Sequence, residues 1–143
     1  MIRELNDSVL RDIVEPIKEI TDEIRLLLSD MVETMEDNRG VGLAAPQIGI
    51  PLRLVVIKVD YVIYKLINPE IIKARGEQDS DEGCLSLPNT FGKVQRPAKV
   101  VIKALDENGK EIKFTGYKLL ACVLCHEIDH LDGILFTDKL SKV

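Results

Sequence analysis

The chain has no tryptophan, and only 4% of its residues are aromatic. Binding single-stranded nucleic acid by base stacking needs aromatic platforms, so that class is disfavoured. A basic excess is also lacking. Nineteen Lys and Arg stand against 24 Asp and Glu, a net charge of −5, and the lysines are scattered along the chain. Phosphate-backbone binding relies on basic surface, so no direct nucleic-acid binding is expected. No apolar run approaches the ~20 residues that span a bilayer, and no membrane association is expected. The opening, Met1-Ile2-Arg3-Glu4-Leu5, has neither a signal-peptide core nor an Arg/Ser-rich transit pattern. Three cysteines, an odd number, do not suggest a disulfide framework. Repeats, low-complexity segments and linkers are absent. With 45% hydrophobic residues over 143 positions, residues 1–143 read as a single domain with a real core.

Histidine is equally scarce, and both copies fall in one pentad, His126-Glu127-Ile128-Asp129-His130. On a helix, residues four apart share a face, so both imidazoles can reach one metal ion. Glu127 then sits one step round the helix, beside the water such a metal holds. Apolar neighbours on all sides, from Leu119 and Leu120 to Leu131, predict a buried helix. Buried His, Glu and His without partners would be costly, which points to a metal centre.

Catalytic sites of this kind take three protein ligands and keep one open position. The longer pattern H-E-x-x-H-x-x-G-x-x-H is matched through Gly133 but ends on Phe136, which cannot ligate. The tail after His130 is too short to bring a carboxylate back on a second helix. The third ligand is therefore expected upstream. Cys122, His126 and His130 together span about 12 Å of helix axis, too far for one ion. Cys122 is instead expected to line a cavity one turn above the metal, and Cys125 points about 100° away from His126. Cys84, in Glu82-Gly83-Cys84-Leu85-Ser86-Leu87-Pro88, remains, with Pro88 expected to close the segment. A thiolate with two imidazoles suits Zn²⁺ or Fe²⁺ better than Mg²⁺ or Ca²⁺. Cys122 and Cys125 also form a C-x-x-C, but it lies inside an apolar helix and has no second pair, against a redox or structural-zinc role.

Three segments together, Gly40-Val41-Gly42-Leu43-Ala44-Ala45-Pro46-Gln47, EGCLS at 82–86 and HEIDH at 126–130, resemble the peptide deformylase family. The resemblance runs from Asn6-Asp7-Ser8 to Leu135-Phe136. It implies that Cys84, His126 and His130 bind one metal ion per chain, with Fe²⁺ the common active form and Zn²⁺, Ni²⁺ or Co²⁺ compatible. It implies that metal-bound water attacks the formyl carbon of N-terminal formyl-methionine, releasing formate, with Glu127 as general acid and base. The Gln47 amide and the Leu85 backbone N–H are implied to stabilise the oxyanion. Each role suits its group: a carboxylate can relay a proton, and a neutral amide can donate to charge that develops in the transition state.

Leu119, Cys122 and Val123 lie within about 60° of the His126 face and are expected to form an apolar wall for the methionine side chain. The resemblance adds Val41 and Glu82 to the rim. Gly40 and Gly42, lacking Cβ, are expected to let the main chain approach a peptide laid down as an added strand. Implied partners are nascent formyl-methionyl polypeptides and a transient ribosome contact, made by a monomer in the cytoplasm. The chain departs from the family at Cys125, usually glutamine, and Lys118, usually glycine, which puts the fine shape of the cavity and the helix start in question. Competing readings are an H-E-x-x-H metalloprotease, which wants a downstream ligand, and a non-catalytic metal-binding or redox module.

The predicted fold class is α+β, with antiparallel strands packed around a central helix that carries the pentad. Helices are predicted over Thr21–Glu36 and Tyr117–Leu131. Strands are predicted over Leu52–Val59, Tyr61–Ile67 and Glu70–Ala74, with Asn68-Pro69 as punctuation. Residues 75–83 read as a solvated loop, and Lys99–Leu105 with Lys110–Phe114 as a hairpin.

Overall fold

The computed structural model describes residue 2, residues 8–11 and residues 13–139. Asn6 and Asp7, where the resemblance starts, lie outside the described residues, as do Met1 and residues 3–5 of the opening and the tail at 140–143.

The first helix, α1, runs Asp22–Asp37, and the Thr21 side chain accepts from the Ile24 N–H at its start. That cap satisfies one of the free N–H groups of the first turn. Leu28, Met31 and Met35 recur at helical spacing and are fully buried. They pack on one face of a five-stranded sheet, against Leu43, Leu54, Val56 and Ile67. The strands are β1 (Gly42–Ala44), β2 (Leu54–Val59), β3 (Val62–Arg75), β6 (Lys99–Leu105) and β7 (Glu111–Tyr117). Their order is β1-β2-β3-β6-β7, and each neighbouring pair is antiparallel. Alternate residues of the same strands, including Val55, Ile57, Val100 and Ile102, face the other way and meet Ala121, Leu124, Cys125, Ile128 and Leu131. Those five belong to the second helix, α2 (Lys118–Leu131).

A separate two-stranded ribbon, β4 (Gln78–Cys84) and β5 (Leu87–Arg96), covers the site end of α2. Leu87 and Val94 of the ribbon pack with Leu10, Leu135 and Phe136 in a third apolar cluster. Helix α2 therefore lies between the large sheet and the ribbon, the α+β arrangement expected. Gly133 follows it with φ +71°, a left-handed conformation that glycine adopts without penalty. A side chain there would also strike the Arg11 carbonyl at 2.3 Å.

Three local expectations need correction. The predicted break at Asn68-Pro69 is a bulge inside one long strand, β3, whose register with β6 shifts between Ile67 and Glu70. Asn68 takes φ +51°, and its amide side chain exchanges two 2.8 Å hydrogen bonds with the Ile17 backbone. The 75–83 segment is no loop from Gln78 onward. It forms β4, with Ser80 and Glu82 pointing inward. Pro88 does not close the cysteine segment; a turn at residues 85–86 joins β4 to β5, and Pro88 lies within β5.

Candidate metal centre

Cys84 ends β4 beside the turn, and the pentad occupies the last turns of α2. The fold brings Cys84, His126 and His130 together, with their ligand atoms all within 4.8 Å of one another. Cys84 Sγ lies 3.4 Å from His130 Nε2. One ion bound at ~2.3 Å by sulfur and ~2.0 Å by nitrogen needs ligand atoms roughly 3.3–3.6 Å apart. The donor set therefore fits one first-row divalent metal, with small adjustments.

The histidines are prepared differently. His126 Nδ1 donates to Glu82 Oε1 at 2.8 Å, which fixes the ring and turns Nε2 toward the centre. The Phe136 ring stacks on it, with centroids 5.9 Å apart. Burial opposes charge on His126, yet the neighbouring Cys84 and Glu82 and the Glu127 charge outweigh it and push its pKa up to about 10. The same negative surroundings suit a metal cation once the ligating nitrogen has given up its proton. Burial, aided by repulsion from His126 and Arg96, draws His130 down to about 3 and leaves a neutral imidazole.

Glu127 is 3% exposed, and its Oε2 has no hydrogen-bond partner among the described residues. Its Oε1 lies 3.5 Å from His126 Nε2. Burial raises its carboxyl to about 7, where proton exchange near neutral pH is easiest. Gln47, 1% exposed, accepts from the Ala44 N–H through Oε1 at 2.9 Å. Its Nε2 is thereby aimed at Cys84 Sγ, 3.2 Å away, and at Ser86 Oγ, 3.3 Å away.

A cavity of about 560 Å³ opens over these groups. The expected pocket residues Val41, Gly42, Glu82, Leu119, Cys122 and Val123 all line it. They divide by depth. Cys122 and Val123 are 6% and 8% exposed and form the floor, whereas Val41 and Leu119, 51% and 57% exposed, form the rim. Leu85 also lines it, next to Cys84. Cys125 does not; it packs in the sheet-side core, and burial pushes its thiol up to about 11. The glutamine-to-cysteine departure thus leaves the cavity lining untouched.

Glu82, Gly42 and Gly40 also have close partners within the protein. Both Glu82 oxygens are engaged, by the Arg96 guanidinium at 2.7 and 2.8 Å and by His126, so this carboxylate supports a histidine as well as lining the cavity. A Cβ on Gly42 would sit 2.8 Å from Glu127 Cγ, and one on Gly40 2.9 Å from Leu85 Cδ1. The absent side chains make room for the protein's own groups.

Sequence reasoning missed Arg96, Asp129, Ser86 and Phe136. Arg96 is 3% exposed and also reaches Asp129 Oδ2 at 2.6 Å. Counting acids would have exposed the gap, because buried carboxylates at 82 and 127 beside one at 129 demand a buried cation.

The sequence matches the polypeptide deformylase family profile over residues 1–143. A peptide deformylase of Acetivibrio thermocellus is 54% identical over 141 residues, 99% of this chain and 83% of that protein. Peptide deformylase 2 of Clostridium acetobutylicum is 50% identical over 142 residues, 99% of this chain and 95% of its own length. The crystal structure of peptide deformylase from Thermotoga maritima superposes with a TM-score of 0.97 at 35% identity, covering 99% of this chain and 97% of that one. With the donor set in place and its likeness running the length of the chain, the protein belongs to the polypeptide deformylase family, metal-dependent hydrolases that take the formyl group from N-terminal formyl-methionine.

Proposed function

We propose that deformylation here is divided among three groups of residues: Cys84, His126 and His130 hold the metal, Glu127 moves protons, and Gln47 with the Leu85 N–H receives the developing oxyanion. The observation that carries this reading is the convergence of one thiol and two imidazoles within 4.8 Å, beside the unpaired Oε2 of a buried glutamate. Bound by these three residues, a divalent ion would lower the pKa of water and polarise the formyl carbonyl. Glu127 would take a proton at Oε2 from the water that attacks the formyl carbon and deliver it to the amine nitrogen as the C–N bond breaks, so formate and a free amino terminus result. Gln47 Nε2, fixed by the Ala44 N–H, stands ready to donate to the carbonyl oxygen as its charge grows. Cys122 and Val123 receive the methionine side chain, with Val41, Leu119 and Gly42 around the entrance and Glu82 beneath.

For the metal we propose Fe²⁺, with Zn²⁺, Ni²⁺ and Co²⁺ as substitutes, because one soft thiolate and two imidazoles suit these ions. The substrate is the amino terminus of nascent chains, met during transient contact with the ribosome by residues 1–143 acting as one monomeric domain in the cytoplasm. A thiolate ligand also favours a reducing compartment. Among the described residues no helix is long and apolar enough to cross a membrane. The metalloprotease reading loses ground because Cys84 supplies an upstream third ligand. The non-catalytic reading loses ground because Cys125 is turned away from the centre.

Substitution separates the roles. Cys84→Ala loses metal and turnover, Glu127→Ala keeps metal and loses turnover, and Cys125→Ala keeps both, read by metal analysis and formate release. Full metal content in Cys84→Ala, or normal turnover in Glu127→Ala, contradicts the assignment.

A further inference from the structure

The three proposed ligands sit on two separate elements. Cys84 is carried by β4, while His126 and His130 are carried by α2. Nothing in the ligands themselves fixes the spacing between strand and helix before a metal binds. Two side chains bridge it, Glu82 directly to His126 and Arg96 through Glu82 and Asp129. Arg96, at the end of β5, presents Nε and Nη2 to Glu82 at 2.8 and 2.7 Å and Nη1 to Asp129 at 2.6 Å. Glu82 lies two residues before Cys84 on β4 and accepts from His126 Nδ1. Asp129 lies on α2 immediately before His130, and Lys139 also reaches it at 3.3 Å. The Arg96 side chain is 2% exposed.

We infer that Arg96 is a positioning residue that sets the metal-ligand triangle, clamping the Cys84 strand to the histidine helix and holding Glu82 in the orientation that turns His126 Nε2 toward the metal. The inference rests on the ligand assignment above. The guanidinium is suited to it: its planar fork offers bidentate donors to one carboxylate and a further donor to another, in fixed relative directions. A lysine ammonium carries the same charge but cannot reproduce that fork. Arg96 does not line the cavity, so its influence on substrate is indirect.

The test is metal binding by the intact chain, measured by competing Co²⁺ or Zn²⁺ against a chelator of known affinity and recording the visible spectrum of the Co²⁺ form. Disturbing a partner of a ligating histidine costs about 10–100-fold in metal affinity or activity. Arg96→Lys is expected to weaken metal binding within that range and to alter the Co²⁺ spectrum. In metal-saturated protein it should lower kcat while leaving KM close to wild type. Glu82→Gln should weaken binding similarly, and the double variant should be no weaker than about the poorer single variant, because either change breaks the same Arg96–Glu82 link. A folded Arg96→Lys protein with wild-type affinity and Co²⁺ spectrum overturns the inference, as do Arg96 and Glu82 effects that multiply. If Arg96→Lys does not fold, Asp129→Ala serves instead: it removes the helix end of the clamp, and unchanged affinity and spectrum there overturn the inference equally. Cys84→Ala distinguishes the two levels. Loss of metal in Cys84→Ala with none in the Arg96 or Asp129 variants defeats the clamp alone, whereas full metal binding without Cys84 defeats the ligand assignment beneath it.

Discussion

At the scale of single residues, close contact explains more than residue type alone. Gly42 is the clearest case, since a methyl group there would press on Glu127 at 2.8 Å. Gly42→Ala should keep its metal and lower kcat by about tenfold or more, the order expected when a proton-transfer group is displaced. Metal analysis with steady-state kinetics checks this, and an unchanged kcat would mean that Glu127 yields without cost. Glu82 gives a prediction in pH. Burial alone would raise its carboxyl, but the Arg96 and His126 hydrogen bonds hold it down from 4.5 to about 2. A depressed carboxylate stabilises the fold above its unfolded pKa, and that contribution is lost as pH falls through the folded value. Urea unfolding of metal-free protein should therefore lose stability between about pH 4.5 and pH 2, and Glu82→Gln should flatten that slope. Equal slopes in both proteins would remove Glu82 from the account of acid stability.

At the scale of elements, some of the fold was legible in the sequence and some was hidden, for identifiable reasons. Helix α1 was readable because Leu28, Met31 and Met35 repeat at helical spacing behind a Thr21 cap. The pentad helix was readable for the same reason, and so was the triad, because the chain has two histidines and few candidates for a third ligand. Strand β4 was hidden because its inward residues are Ser80 and Glu82, which face an ion cluster instead of an apolar core. Without apolar alternation there was no strand period to detect. Strand β3 was split wrongly because Asn68-Pro69, ordinarily punctuation, is absorbed as a bulge held by Ile17. Arg96 was hidden because its partners come from β4 and α2, far away in sequence. The β7–α2 junction shows what the lysine at position 118, where glycine was expected, costs the backbone. Lys118 takes φ +53°, where glycine is at ease and a side chain costs about 1–2 kcal/mol. Lys118→Gly should therefore stabilise the protein by up to about 1 kcal/mol after the greater flexibility of unfolded glycine is subtracted. Thermal unfolding checks this, and a lower Tm in Lys118→Gly would show that the lysine side chain holds the junction.

At the scale of the whole molecule, helix α2 is held on one side by a five-stranded sheet and on the other by a polar-lined ribbon. The sheet side supplies apolar contacts, through Leu124, Ile128 and Leu131, that fix the helix. The ribbon side supplies Cys84, Glu82 and Arg96, so the Cys84–His126–His130 cluster lies at the seam between an apolar layer and an ionic one. The cavity opens along that seam, with a buried apolar floor beside Glu127. The central claim is that this seam removes formyl groups with a metal held by Cys84, His126 and His130. Its most direct test is formate release from a short formyl-methionyl peptide, using protein prepared without oxygen and assayed for metal. The account predicts turnover with about one Fe²⁺ per chain, lost on chelation and restored by Fe²⁺ or Co²⁺. Metal-replete protein that releases no formate, or turnover that survives complete removal of the metal, would contradict it.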